Sequence, residues 1–132
     1  EHMSREDIRR LYFDADVFVL PTRGEGWGLP VVEAMSMGLP VIVTNYSGPT
    51  AYLTESNSYQ LRLDAVDDLG SAVPSAADLI AHLRASESRR NEANQRGAQA
   101  ALDMRERFSS DVVGRTLKRK LLSVAQDVRL GH

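Results

Sequence analysis

Two glutamates, Glu25 and Glu33, stand with seven residues between them, and the stretch they open reads Gly24-Glu25-Gly26-Trp27-Gly28-Leu29-Pro30. Glycine lets a backbone approach a ligand closely, while the start of a helix offers free N–H groups and a partial positive charge that suit a phosphate. Three glycines ahead of a helix therefore have the physics of a nucleotide phosphate cradle. The carboxylates add a second capacity. They accept hydrogen bonds, which sugar and ribose hydroxyls supply, so Glu25 in the loop and Glu33 about a turn into the helix can address different parts of one ligand. Taken alone, two acids near a helix start are better read as surface charges favoured by the helix dipole; the flanking glycines shift the balance toward a site. No G-x-G-x-x-G supports a dinucleotide reading.

The elements around this stretch must position it. Ser4 followed by Asp7 makes a capping box, and Ile8, Leu11 and Tyr12 recur at helical spacing, which predicts a helix from about Arg5 to Asp14. Val17-Phe18-Val19-Leu20, ended by Pro21, predicts a strand buried on both faces, as in a parallel sheet. Pro30 suits the opening of a helix through Met37, and Gly38 suits its end. Val41-Ile42-Val43-Thr44 is a second buried run, so strand, helix and strand form a βαβ crossover, expected to be right-handed. A turn containing Ser47-Gly48-Pro49 follows. Tyr59 to Leu63, with polar residues at alternate positions, reads as an edge strand, and Asp64 to Pro74 as a loop.

Ser75 caps a helix whose apolar stripe is Leu79, Ile80 and Leu83. Arg89 to Arg107 is a charged helix with Ala93, Ala98, Ala101, Leu102 and Met104 available to pack, and Ser109 or Ser110 caps a last helix carrying Val112, Val113, Leu117, Leu121, Leu122 and Val124. The fold class is α/β: a partial Rossmann-like unit with a short parallel sheet of two or three strands and C-terminal helices. Sheets of this class place ligands where the strand order reverses, so half of that architecture is expected to be missing.

The central stretch resembles a known family. Glu25-Gly26-Trp27-Gly28-Leu29-Pro30-Val31-Val32-Glu33-Ala34-Met35, followed by Gly38-Leu39-Pro40-Val41-Ile42, is similar to the E-x7-E segment of retaining glycosyltransferases of family 4, which have the GT-B architecture. Asp16-Val17-Phe18-Val19-Leu20-Pro21 resembles the preceding strand, and Arg107-Phe108-Ser109 the junction before the family's last helix. The resemblance implies that Glu25 contacts hydroxyls of the donor sugar near the anomeric carbon and that Glu33 binds the ribose hydroxyls. It also implies that backbone N–H groups at Gly26, Trp27, Gly28 and Leu29 face the sugar and diphosphate. The substrate is then a nucleotide-diphosphate sugar, with no cofactor and no obligatory metal, and residues 4–132 form the C-terminal part of the donor-binding domain. Glu1-His2-Met3 is read as a vector remnant. Trp27 stands where phenylalanine is usual and Ala51 where many relatives carry glutamate. The family's Arg and Lys that neutralise the diphosphate lie earlier in the domain, and a separate N-terminal domain holds the acceptor. An isolated fragment is therefore expected to be inactive and, with a sheet edge exposed, to self-associate.

Composition sets the boundaries of these readings. At 132 residues, 42% hydrophobic and 26% charged, the chain is ordinary globular material for about one domain. A formal net charge of -2 argues against nucleic acid as a partner. The absence of cysteine removes disulfides, thiolate metal sites and Cys nucleophiles, and suits a soluble cytoplasmic protein. His82 has no partner histidine at metal spacing and reads as a solvated or core residue. Arg84, Arg89, Arg90 and Arg96, interleaved with Glu87 and Glu92, read as a solvated face, and Met35 and Met37 as core. Trp27 fits a packing role as well as a site. A rival from another class is a non-catalytic interaction module that uses Val113, Leu117, Leu121 and Val124 of the last helix to bind a partner.

Overall fold

The chain's structure, a computed structural model, describes residues 3–129. Glu1 and His2 of the expected remnant, and residues 130–132, lie outside the described residues. Helix α1 (Arg5–Asp14) is capped as its sequence predicts: Ser4 Oγ accepts from the Asp7 N–H while the Asp7 carboxylate accepts from the Ser4 N–H, both at 3.1 Å. Strands β1 (Phe18–Leu20), β2 (Val41–Thr44) and β3 (Tyr59–Leu61) form a parallel sheet in the order β1-β2-β3, with Val19 opposite Ile42 and Ile42 opposite Tyr59. Helix α2 (Leu29–Ser36) joins β1 to β2. It stops where expected: Met37 caps it, and Gly38 at φ +76° takes a left-handed turn that glycine adopts freely.

Strand alternation divides the core between the two faces of the sheet. Phe18, Leu20, Val41 and Val43 join Val31, Ala34, Met35, Tyr52, Ala100 and Met104 on one side. Val17, Val19, Ile42, Tyr59 and Leu61 join Leu79, Ala85 and Ala93 on the other. The central strand β2 is buried along its whole length. β1, expected to be buried on both faces, is only half-buried, because it pairs on one edge alone among the described residues. Met35 is core as expected, whereas Met37 is exposed.

The segment from Asp64 to Pro74, expected as a loop, is instead an antiparallel hairpin of β4 (Leu63–Val66) and β5 (Ala72–Pro74). β3 is correspondingly shorter than the predicted strand, ending at Leu61. The hairpin escapes a pattern-based reading because Asp64, Ala65 and Val66 are all exposed, which leaves no inside-outside alternation to detect. Its turn is held by Asp67, whose carboxylate accepts from the N–H groups of Leu69 at 3.0 Å and Ser71 at 2.8 Å.

Three helices complete the chain: α3 (Ala76–Ser88), α4 (Arg90–Phe108) and α5 (Ser110–Arg129). Ser75 caps α3 as predicted, but of its expected stripe only Leu79 packs inward, while Ile80 and Leu83 are exposed. In α4, Ala93 and Met104 are buried as expected. Ala98 and Leu102 face solvent, and the tightest positions are Ala100 and Gly97. A Cβ on Gly97 would strike the Gly38 carbonyl, so α4 can cross the end of α2 only through glycine. Arg96 is also a correction. Rather than lying on a solvated face, it is half-buried, donates to the carbonyls of Glu55 and Ser58, and lies 4.6 Å from the centroid of the Tyr59 ring. With His82 Nε2 placed 3.1 Å from the Gln60 carbonyl, these side chains cover the outer edge of β3.

One ion pair joins Arg62, between β3 and β4, to α3. The buried Asp78 carboxylate receives Arg62 Nε at 2.8 Å, its terminal nitrogen at 2.7 Å and its backbone N–H at 3.0 Å. These bonds hold Asp78 well below the usual carboxylate range. A lowered pKa stabilises the folded state above the unfolded value of about pH 4, and that contribution is lost as pH falls through the folded value. Asp78→Asn is therefore expected to lower Tm at neutral pH, with the gap to wild type closing in strong acid. Calorimetric melts across the acid range check this, and a deficit independent of pH would remove the charge from the explanation.

Candidate functional site

The glycine loop follows the C-terminal end of β1 and turns into α2 at Gly28. That residue has φ +81°, and a Cβ there would come within 2.7 Å of the Tyr52 hydroxyl, so position and conformation both call for glycine. Pro30 has no N–H, and Val31 and Val32 donate back to the Gly28 carbonyl at 2.9 and 3.1 Å. The N–H groups of Gly26, Trp27, Gly28 and Leu29 make no hydrogen bond to another described residue. Four consecutive donors at the head of a helix are what an anionic oxygen needs.

A second turn braces this loop. After β2 the chain makes a 3-10 turn over Gly48–Ala51, in which the Gly48 N–H donates to the Glu25 carbonyl at 3.1 Å. The two backbones are so close that a Cβ on Gly48 would collide with the Gly26 carbonyl and sit 2.9 Å from Trp27 Cα. Tyr52, buried beneath the turn, donates its hydroxyl to the Trp27 carbonyl at 2.7 Å. Burial, and then the charge of Glu25, push that hydroxyl up to about 12, so it remains a donor through the neutral range. The Trp27 ring meets Tyr52 at 5.3 Å and Phe108 edge-on at 5.6 Å, and Arg107 donates to the Ala51 carbonyl at 2.8 Å. Trp27 is thus a packing residue that links the loop to the end of α4, though 39% of it stays exposed.

Glu25 is half-buried in the loop, while Leu29 and Glu33 are exposed on α2. Tyr12 of α1 places its hydroxyl 3.1 Å from Glu33 Oε2, with the Pro30 carbonyl 3.3 Å away. Beside them a groove of about 480 Å³ runs between α1 and α2, lined by Arg5, Ile8, Tyr12, Val32, Glu33 and Ser36 among others. The hairpin reaches the same end of the sheet: Arg23 pairs with Asp67 at 2.7 Å, the Ala72 N–H donates to the Arg23 carbonyl, and the Tyr46 hydroxyl donates to the Gly70 carbonyl.

All six residues singled out from the sequence, Glu25, Gly26, Trp27, Gly28, Leu29 and Glu33, lie on this one loop and helix start. Those missed are Tyr12, which a periodicity reading counts simply as an apolar position of its helix, Tyr52, which follows a turn and belongs to no periodic run, and the close approach at Gly48, whose only local signal is a Gly-Pro pair. Among the described residues no group of three or more His, Cys, Asp or Glu is placed to hold a metal ion. No helix among them is long and apolar enough to cross a membrane.

The bracing has a measurable cost when broken. Tyr52→Phe leaves the Trp27 carbonyl without its donor and is expected to lower stability by about 1 kcal/mol. Gly48→Ala drives a methyl into the backbone of Gly26 and is expected to cost about 1–3 kcal/mol. Urea unfolding measures both, and a Gly48→Ala variant as stable as wild type would show that the contact imposes no constraint.

Residues 1–101 match the family model described as Glycosyl transferases group 1. Among curated proteins, the Escherichia coli UDP-Gal:alpha-D-GlcNAc-diphosphoundecaprenol alpha-1,3-galactosyltransferase is 36% identical over 75 residues, covering 56% of this chain and 19% of that protein. Among solved structures, Anabaena HepE in complex with UDP superposes with a TM-score of 0.76 at 19% identity, covering 90% of this chain and 30% of that one. The C-terminal domain of the group 1 glycosyl transferase LpcC from Francisella tularensis gives 0.67 at 20% identity, covering 83% and 52%. The chain thus spans less than two thirds of each of these relatives. The structural likenesses establish the fold as that of a GT-B C-terminal domain, and the family match assigns the sequence. The chain belongs to the group 1 glycosyl transferases.

Proposed function

We propose that this chain is the C-terminal part of the donor-binding domain of a retaining family 4 glycosyltransferase, which moves a sugar from a nucleotide-diphosphate sugar to an acceptor hydroxyl. The observation that carries the reading is the row of unbonded N–H groups from Gly26 to Leu29 at the head of α2, held in place by the turn at Gly48. The diphosphate lies on these donors and on the positive end of the helix. Glu25 accepts hydrogen bonds from the sugar, and Glu33, farther along the helix, accepts them from the ribose hydroxyls. Similar proteins support a donor of this class: HepE is solved with UDP and with UDP-glucose, and the Escherichia coli relative is named for UDP-Gal.

In the reaction the bond between the anomeric carbon and the diphosphate oxygen breaks as the acceptor oxygen bonds to that carbon on the same face. Because the acceptor enters on the face that the diphosphate leaves, configuration is retained, and the acceptor proton passes to the departing phosphate with no obligatory metal. Preorganised N–H groups aimed at the leaving oxygens stabilise the charge that develops there. In this reading the basic residues that complete this stabilisation lie earlier in the donor-binding domain of the longer parent, a cytoplasmic enzyme whose separate N-terminal domain holds the acceptor. By itself the 132-residue chain is inactive. Its β1 edge, with Leu11 and Phe13 60% and 80% exposed nearby, favours self-association. The rival reading, an interaction module built on α5, leaves Val113, Leu117, Leu121 and Val124 exposed as it requires. The family match gives it no support, since it ends before that helix.

The test is sugar transfer by the full-length parent, wild type against Glu33→Ala, over UDP-, GDP- and ADP-sugars with the product's anomeric configuration followed. The expected result is retention, with the variant's donor KM raised about tenfold or more, the scale of losing hydrogen bonds to a charged acceptor. No turnover with any donor, and a variant indistinguishable from wild type, would favour the interaction module.

A further inference from the structure

We infer that Tyr12 is a positioning residue for Glu33: its hydroxyl holds one carboxylate oxygen so that the other is presented to the vicinal hydroxyls of a ribose. The inference rests on the reading that Glu33 binds the nucleotide's ribose, and adds the group that sets the carboxylate's geometry.

Glu33 is exposed on α2, and among the described residues no Lys, Arg or His forms an ion pair with it. Among the described residues its one side-chain hydrogen bond comes from Tyr12, twenty-one positions earlier and on a different helix. A glutamate on a helix surface otherwise samples many rotamers, and a ligand that needs one of them must bear the entropy of selecting it. Tyr12 removes part of that freedom before the ligand arrives. The tyrosine is itself well fixed: its ring packs against the core and tilts across Phe18 at 6.0 Å. Burial and the neighbouring Glu33 push its hydroxyl up to about 12, which keeps it a donor at physiological pH. The groove between α1 and α2 opens beside the pair, so the second carboxylate oxygen remains within reach of a ligand. A contact that served only to fasten α1 to α2 would have no reason to leave its acceptor facing open space.

The experiment titrates the full-length parent with UDP, GDP and ADP and with their 2′,3′-dideoxy counterparts, using wild type, Tyr12→Phe, Glu33→Ala and the double variant. Phenylalanine keeps the ring and its packing, and a thermal melt of each variant verifies the fold. The expected result is that Tyr12→Phe weakens binding of the ribonucleotide about three- to tenfold. It leaves the dideoxynucleotide unchanged and adds nothing in the Glu33→Ala background. Equal weakening of both nucleotides, no weakening of either, or a full additional loss on top of Glu33→Ala would each overturn the inference. If Glu33→Ala discriminates between the two sugars and Tyr12→Phe does not, the inference falls alone. If Glu33→Ala fails to discriminate, the ribose reading falls and takes the inference with it.

Discussion

The site depends on a backbone contact that one glycine, Gly48, makes possible. Gly48 lets the turn after β2 meet the backbone of Gly26 and Trp27 in the loop after β1 at a distance no side chain on it would permit, and its N–H closes the contact by donating to the Glu25 carbonyl. This approach fixes the loop immediately ahead of Gly28, the cap of α2. A loop with three glycines in five residues is entropically costly to order. The order comes from outside it: the Tyr52 hydroxyl on the Trp27 carbonyl, and the packing of Trp27 against Tyr52 and Phe108.

The supports of that contact come from distant parts of the chain. Tyr52 is buried among residues of α2, β2 and α4, so the position of its hydroxyl depends on how α4 crosses α2. That crossing is set by Gly97, where α4 lies against the carbonyl of Gly38. The far end of α4 supplies Phe108 to the loop and Arg107 to the Ala51 carbonyl, while Arg96 in its middle covers the edge of β3. One helix thus braces the glycine loop, the turn behind it and the edge strand β3. Its buried positions, Ala93, Gly97, Ala100 and Met104, recur at spacings of three and four along one face, which leaves Ala98 and Leu102 in solvent.

The two glutamates sit in different settings, and this suits different tasks. Glu25 is carried by a braced loop and is half-buried, so its position follows the backbone. Glu33 projects from a rigid helix into open space, where its backbone is fixed and its side chain is not, and the contact from α1 acts on that remaining freedom. The hairpin meets the same end of the sheet through Arg23 and Tyr46, adding a wall to the loop's outer side that is built on contacts between segments far apart in sequence.

Local physics determined much of this protein. The cap at Ser4, the stop at Gly38, the cap at Ser75, the run Val41–Thr44 and the spacing of Glu25 and Glu33 around a glycine loop are each decided within a few residues, by hydrogen bonds and dihedral preferences that do not need a partner. The candidate site was legible for the same reason, since it lies on one continuous stretch. Tertiary structure decided what needs two segments at once. Asp64–Pro74 became a hairpin because its register comes from cross-strand pairing and not from its own pattern. Arg96 became a structural residue because the carbonyls of Glu55 and Ser58 converge on it. Tyr12, which periodicity reads only as an apolar position, and Tyr52, which no periodic run contains, carry hydroxyls whose partners only the fold supplies, at Glu33 and Trp27. A hydrogen bond between residues twenty or more positions apart has no signature in either residue's neighbours, so it becomes visible only once the chain is folded.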